Sequence, residues 1–140
     1  MLPTACPRPL KGSGQLARRA RRAEDSTALA DAYAVVDARD GGFCVITGRF
    51  VVAGAVDPRR RREHHHLKGR NVRPDWVTDP RRIITVAADV HQLIEGGFIE
   101  VEGENANQRI VAHWNRALMP SGREPFRLLS RRWSMQEDWR

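Results

Sequence analysis

The stretch IITVAADVHQLIEGG, from Ile83 to Gly97, predicts a short strand that runs directly into a helix. Its first four residues, Ile83 to Val86, are all β-branched, which favours an extended strand. The residues that follow have a helical pattern and end at Gly96 and Gly97, where helices commonly stop. We therefore expect a strand–helix unit that carries His91 on its helix.

A partner strand is expected upstream, in RREHHHLKGRN from Arg61 to Asn71. Three histidines follow a run of arginines here, and because the row is internal and stops at three, it does not have the form of an expression tag. The intervening segment NVRPDWVTDPRR has two prolines and two aspartates, a composition typical of loops. If the hairpin folds back and the helix packs across it, the row from His64 to His66 approaches His91.

The flanking segments complete a domain of the α+β class. Apolar residues recur at helical spacing between about residues 25 and 38, with Asp25 or Ser26 placed to cap the helix. The pieces FCVIT and RFVVAGAV are rich in aromatic and β-branched residues and predict two strands, or one strand and a covered loop. Farther on, FIEVEGENANQRIVAHW alternates around a GENAN turn and predicts a second hairpin.

The two ends of the chain have a different composition from the domain. Residues 1 to 22 are rich in Pro, Gly and Arg, and such a segment buries too little apolar surface to offset its ordering entropy. We expect a disordered basic arm there, which is either a solvated tail or a phosphate-binding arm. The domain then covers residues 23 to 118, and residues 119 to 140 form an irregular basic tail.

Composition favours a phosphate-rich partner. The chain has 140 residues, a formal net charge of +7 and 41% hydrophobic residues, which suits one domain with a modest core. Its basic residues are almost all arginine, since Lys11 and Lys68 are the lysines. Arginine pairs with phosphate oxygens in a bidentate manner, so nucleic acid is the favoured partner, although a bias toward arginine codons gives the same composition.

The cysteines and the hydropathy pattern limit the class of protein. Cys6 and Cys44 form no CxxC pair, which argues against a four-cysteine zinc site and against a disulfide framework. No apolar run approaches the roughly 18 residues that a membrane span needs, and the first residues lack the apolar core of a signal peptide. We expect a soluble protein of a reducing cytoplasm.

The spacing of His91 and Glu95 points to a metal site. Side chains four residues apart share one face of a helix, so both can point at the same ion. Imidazole and carboxylate ligands suit one divalent cation such as Mg, Mn, Ni or Zn, with no strong choice among them.

At this point the residues resemble the HNH endonucleases of the ββα-metal superfamily, especially the small ones of phages and prophages. The matching motifs are RDGGFCVITG, HHHLKGR, TDPRRIITV and VHQLIEGG, between Arg39 and Gly97. In that family a His or Asp followed by His closes the first strand, an Asn opens the second, and a His lies nine residues later on the helix. Here His65 and His66 precede an apolar residue, the Asn position is Arg82, and the helical histidine is His91.

The resemblance implies a fold and a set of roles. The fold is a ββα-metal core with an N-terminal helix and an extra C-terminal β-hairpin. His66 is implied as the general base that activates water, and His65 and His91 as metal ligands, with Glu95 as a further ligand. Arg82 either takes over part of the role of the Asn in orienting the base or leaves the site weakened. A register shift of one residue would make His64 the ligand and His65 the base.

The implied activity is metal-dependent hydrolysis of DNA phosphodiester bonds in a bacterial host cell. The arginine run from Arg59 to Arg62 (Arg59, Arg60, Arg61 and Arg62) is either a solvated loop or a clamp on the DNA backbone, and Arg70 is placed to reach the scissile phosphate. A homodimer or a phage packaging (terminase) component is a further possible partner. The rival hypothesis is an accessory protein that binds DNA with this fold but has lost the chemistry at Arg82.

Overall fold

The computed structural model describes residues 13–69 and 72–129. The chain contains helix α1 (Ser13–Asp40), strand β1 (Arg62–His66), strand β2 (Ile83–Ala87), helix α2 (Ala88–Glu95), strand β3 (Ile99–Glu102) and strand β4 (Val111–Trp114). Two short 3₁₀ helices, Pro74–Trp76 and Pro80–Arg82, lie between β1 and β2. The first part of the expected arm (1–12), Arg70, Asn71 and the tail from residue 130 lie outside the described residues.

The described residues form a small α+β fold with two antiparallel two-stranded sheets. β1 pairs with β2, with His64 opposite Thr85 and His66 opposite Ile83. β3 pairs with β4, which confirms the second hairpin expected from the alternating pattern. The α+β class is likewise confirmed. Neither α1 nor α2, the helices of the described ranges, combines the length and the apolar character that a membrane crossing requires.

β2 is the central element of the core, and all five of its residues are buried. Side chains of a strand alternate between its two faces. Ile83 packs with Ala32 and Val36 of α1, whereas Ile84 and Val86 belong to the larger cluster that includes Val90 of α2. The two helices therefore cover opposite faces of β2.

The end of α1 also binds the outer edge of β2. Asp40, which is buried, accepts a hydrogen bond from the Thr85 amide at 2.9 Å. Arg39 pairs with Asp40 at 2.8 Å and donates to the backbone carbonyls of Pro80 and Ile83 at 2.7 and 2.6 Å. The edge of β2 that faces away from β1 is thus satisfied by these two side chains and by the Val45 amide, which donates to the Thr85 carbonyl at 3.0 Å.

α1 is longer than the sequence pattern predicts. It begins at Ser13 instead of near residue 25, so residues 13–22, expected as part of a disordered arm, are helical. The stretch after Gly14 is rich in Ala, Leu, Arg and Glu, which are strong helix formers, and contains no proline. A helix nucleated by the packed part of α1 extends through such a segment without burial, because propagation needs no new nucleus.

No regular strand forms in residues 43–56, where two strands, or one strand and a covered loop, were expected. The segment makes two isolated bridges instead, Phe43 with Phe50 and Val52 with Arg61. The Phe43–Phe50 pairing lies between two glycines with positive φ, Gly42 at 82° and Gly48 at 75°, so the extended backbone ends on both sides of it. The apolar residues of the segment still enter the core, namely Cys44, Val45, Ile46 and Val51.

Residues 115–129 contain no helix or strand, and they are attached to the core. Phe126 and Leu128 pack against the main cluster, and the Leu129 amide donates to the Ile46 carbonyl at 2.7 Å. This part of the expected tail is therefore an irregular segment of the domain.

The contact between Asp40 and the edge of β2 gives a test of the fold. Asp40→Asn should lower the free energy of unfolding by about 3 kcal/mol, because it leaves the nearly buried Arg39 guanidinium without its counter-charge. Urea denaturation measures the change. The matched control is Asp31→Asn on the exposed side of the same helix, expected within about 0.5 kcal/mol of the parent. Equal losses in the two variants would contradict this role of Asp40.

Candidate functional site

The three histidines of β1 lie along one cleft but contact different elements. The cleft has a volume of about 470 Å³, and the residues that line it are His64, His65, His66, Leu67, Gly69, His91 and Glu95. Because side chains alternate along the strand, His64 and His66 are directed toward α1, and Glu63 and His65 toward α2. The strand therefore presents two separate sets of contacts.

On the α2 side, His65 and His91 meet edge to face, with ring centroids 5.5 Å apart. His91 lies between two carboxylates. Its Nδ1 hydrogen-bonds to Glu63 Oε2 at 2.7 Å, and its Nε2 is 3.3 Å from Glu95 Oε1. The structure thus brings together His65, His91 and Glu95, the residues implied as metal ligands.

Glu63 is the site residue that the sequence reasoning missed. It was overlooked because its partner, His91, is 28 residues away and belongs to another element. The available signal is that Glu63 precedes His65 by two positions, so the two side chains share a strand face. A carboxylate that accepts from Nδ1 fixes the tautomer of a histidine and directs its Nε2 away from the contact.

His65 has an environment that favours its neutral form. Burial, together with the neighbouring His91 and His66, lowers the pKa of its imidazole to about 4. Within residues 13–69 and 72–129, no group donates a hydrogen bond to this ring or accepts one from it. A neutral imidazole without such a bond is suited to act as a ligand.

On the α1 side, Tyr33 and Asp37 contact the other two histidines. The ring of Tyr33 stacks on His64 at a centroid distance of 4.0 Å, and Asp37 Oδ1 is 2.7 Å from His64 Nε2. The Tyr33 hydroxyl is 3.2 Å from His66 Nε2, and the tautomer of His66 decides which of the two donates. His64 is therefore a link between β1 and α1, whereas the Tyr33 hydroxyl contacts His66 at the margin of the cleft.

The donor atoms of the cleft suit a divalent ion, but they are not arranged as a complete site. Among the residues that the structure describes, no three His, Cys, Asp or Glu side chains form a group ready to hold a metal. Imidazole nitrogen and carboxylate oxygen are nevertheless the ligand types that Zn, Ni and Mn accept. The Glu95 side chain is 68% exposed, so a change of its rotamer meets little resistance from packing.

Arg82 does not line the cleft. Its guanidinium lies 3.9 Å from the centroid of the Trp76 ring, whose other face is covered by Arg73 at 4.0 Å. It also donates to the backbone carbonyl of Glu104 in the second hairpin. The Arg82 backbone carbonyl accepts from the Leu67 amide at 2.8 Å, which extends the β1–β2 pairing by one step. The side chain therefore ties the loop between β1 and β2 to the β3–β4 turn.

Most of the expected DNA-binding arginines near the histidines have carboxylate partners. Arg59 pairs with Asp57 at 3.4 Å, Arg61 with Glu63 at 3.6 Å and Arg62 with Asp37 at 3.3 Å. Arg60 is exposed and makes no ion pair with the described part of the chain. Arg70, expected to reach the scissile phosphate, lies outside the described residues.

Comparison with known proteins finds no family model, no curated protein and no solved structure that matches this chain. A function for the cleft must therefore be argued from its own chemistry.

Arg82→Asn tests whether Arg82 stabilises the loop. The substitution removes the stacking on Trp76 and the charged hydrogen bond to Glu104, so we expect a loss of about 1–3 kcal/mol in the free energy of unfolding. Chemical denaturation measures it. The control is Arg81→Asn, whose arginine makes an exposed ion pair with Asp79 and should contribute less than about 1 kcal/mol. A parent-like stability of Arg82→Asn would contradict the contacts described above.

Proposed function

We propose that the protein is a metal-dependent endonuclease of the HNH type that hydrolyses phosphodiester bonds of DNA. The observation that supports this most directly is the convergence of two strand histidines, His65 and His66, with His91 and Glu95 of the following helix in one cleft. The order of hairpin and helix, β1–β2–α2, is the order that a ββα-metal core requires. The arginine surplus of the chain suits a polyanionic substrate.

His65, His91 and Glu95 are the residues that would hold the ion. A divalent metal, Mg, Mn, Ni or Zn, supplies Lewis-acid stabilisation of the charge that develops on the phosphate and on the leaving oxygen. Glu63 accepts from Nδ1 of His91, so that the Nε2 atom faces Glu95 and the cleft. The lowered pKa of His65 keeps its imidazole neutral at physiological pH, which is the form that coordinates.

His66 is the proposed general base. It must be neutral to take a proton from water, and a histidine in this role typically contributes about 10² to 10⁴ in rate. The Tyr33 hydroxyl at 3.2 Å restricts the rotation of the ring, and it can accept from Nε2–H once the imidazole is protonated. Tyr33 of α1 thus orients the proposed base. In the HNH family this role belongs to the Asn whose position is Arg82 in this chain.

The same contacts favour the pair His65 and His66 over the alternative pair one residue earlier. His64 faces α1, where its ring stacks on Tyr33, whereas His65 faces α2 and meets His91. His65 is therefore the strand histidine that lies next to the proposed ligands of α2.

The second candidate function is a DNA-binding accessory protein, such as a packaging component, with this fold and without cleavage. Two observations favour it: the described residues contain no complete metal-binding group, and the Arg82 side chain stacks on Trp76 and does not line the cleft. The two functions share the DNA partner and differ in whether the cleft performs chemistry. For a nuclease with one cleft per chain, cleavage of both strands would require a homodimer.

Plasmid nicking separates the two functions. The parent protein should convert supercoiled plasmid to the open circle in the presence of at least one of Mg, Mn, Ni and Zn. His66→Ala and His91→Ala should each reduce the rate by about 10²-fold or more, because they remove the base and a ligand. His113→Ala, in the second hairpin, is the matched control and should cleave at the parent rate.

A parent protein that retains DNA at low salt but nicks with none of these ions would overturn the nuclease proposal and leave the accessory protein. Circular dichroism of each variant shows whether the loss of nicking reflects a loss of folding.

Glu63→Gln should weaken metal binding while it leaves the implied ligands in place. The loss of the carboxylate that orients His91 is expected to lower the affinity for Zn or Ni by about 10- to 100-fold. Isothermal titration calorimetry measures this without any substrate. Glu100→Gln is the matched control, because Glu100 also hydrogen-bonds to a histidine, His113, but on the second hairpin. A metal affinity of Glu63→Gln equal to that of the parent would show that Glu63 does not contribute to the metal site.

A further inference from the structure

The first half of α1 projects beyond the rest of the fold. Every side chain from residue 14 to residue 28 is exposed, whereas burial begins with Leu29 and continues at Ala32, Val36 and Asp40. Leu16, for example, is 67% exposed. The C-terminal half of α1, from Leu29 to Asp40, therefore anchors the helix on the fold, and residues 14–28 form an overhanging half.

The overhanging half carries a basic face defined by Arg18, Arg19, Arg21 and Arg22. An α-helix turns by about 100° per residue, which places these four side chains within an arc of about 160°. Small and apolar residues, Leu16, Ala20 and Ala23, occupy the opposite side. We call the arginine side the overhang face.

The overhang face has the same direction as the face by which α1 packs on the hairpin. On the same helical projection, the residues of α1 that pack on the hairpin lie in nearly the same arc as the arginines; they are Ala32, Tyr33, Val36 and Asp37. These residues contact β1 and β2, and Tyr33 reaches His66. The arginines therefore point to the side of the helix axis on which the histidine strand lies.

The direction of the helix carries this face outward from the cleft. Asp40 contacts Thr85 at the outer edge of β2, whereas Tyr33 contacts His64 and His66 of β1, near the end of the hairpin that the loop closes. Going toward the N-terminus, α1 thus crosses from β2 over β1 and continues past the histidine strand. With a rise of 1.5 Å per residue, the arginines lie roughly 16 to 22 Å beyond Tyr33, a length of about five to six base pairs of duplex.

The charge of the overhang face is not neutralised within the described chain. None of its four arginines makes an ion pair with residues 13–69 or 72–129, and Arg18 donates only to the Gly14 carbonyl. Asp25 is the one carboxylate that falls on the same arc within residues 14–28. The face keeps a positive surplus, which matches a row of phosphates.

We propose that the overhang face binds the phosphate backbone of a DNA duplex about five to six base pairs from the phosphate that enters the histidine cleft. The inference rests on the proposed function in that the same duplex occupies the cleft. Contacts to phosphates carry no sequence information, so the role of the helix is to fix the position and orientation of the duplex.

Substitution of two arginines tests the contact. Arg18→Gln combined with Arg22→Gln should weaken binding to a labelled duplex in fluorescence anisotropy, and the slope of log affinity against log salt should fall in magnitude by about 1.8, or 0.9 per lost phosphate contact. Arg109→Gln combined with Arg123→Gln is the control, since it makes the same charge change at exposed arginines outside α1 and should leave the slope at the parent value.

Rotation of the face tests the geometry at constant charge. Insertion of two alanines after Thr27 turns the arginines by about 200° about the helix axis, and insertion of four turns them by about 400°, which nearly restores their direction. We expect the two-alanine variant to lose affinity as the double substitution does, and the four-alanine variant to keep most of it. Circular dichroism checks that both remain helical.

All of these measurements are made in chelator, so they do not depend on cleavage. A two-alanine variant with the affinity and salt slope of the parent would overturn the inference, even if the parent nicks plasmid. An effect of the arginines on binding to anionic phospholipid vesicles, with no effect on duplex binding, would overturn it as well. If the parent nicks no plasmid but the arginine and two-alanine variants lose duplex binding, the overhang face is supported and the nuclease proposal is overturned.

Discussion

Arg39 and Asp40 hold the last turn of α1 against the edge of β2 that faces away from β1. In a two-stranded sheet this edge would leave unpaired backbone groups inside the core, at a high cost in free energy. The carboxylate satisfies the Thr85 amide, and the guanidinium satisfies the carbonyls of Pro80 and Ile83 and pairs with the carboxylate itself. The Val45 amide satisfies the Thr85 carbonyl, and the Arg39–Asp40 pair attaches α1 to this edge.

The consequences of this attachment extend to the histidine strand. Once the end of α1 is fixed on β2, the preceding turns lie over β1, and Tyr33 and Asp37 meet His64 and His66. The opposite face of β1 is left for α2, where Glu63 and His65 meet His91. Because side chains alternate along β1, His64 faces α1 and links the two elements, whereas His65 faces α2, which carries Glu95.

Local patterns in the sequence are sufficient to predict the order β1–β2–α2 and the second hairpin. Each depends on short-range signals: the β-branched run at Ile83, two glycines after the helix, prolines in the loop and alternation around a turn. The length of α1 does not follow from the overall composition of residues 1–22, because the prolines all precede residue 10, whereas the alanines and arginines from residue 15 onward favour helix.

The parts of the site that could not be predicted depend on long-range pairs. Glu63 bonds to a residue 28 positions away, and Tyr33 to one 33 positions away. Neither spacing is visible in a local pattern. Arg82 illustrates the same limit, because a position suggested by the alignment of motifs is filled by a side chain that stacks on Trp76 and bonds to the β3–β4 turn.

The distribution of ion pairs shows where the charge surplus acts. Near the hairpin, Arg49, Arg61 and Arg62 each face a carboxylate, and a paired guanidinium contributes little field at a distance. The arginines of α1 between residues 18 and 22 have no such partner within the described ranges. In the proposed function, the unpaired arginines of the projecting helix would therefore attract the DNA backbone, and the cleft would bind one phosphate of the same duplex.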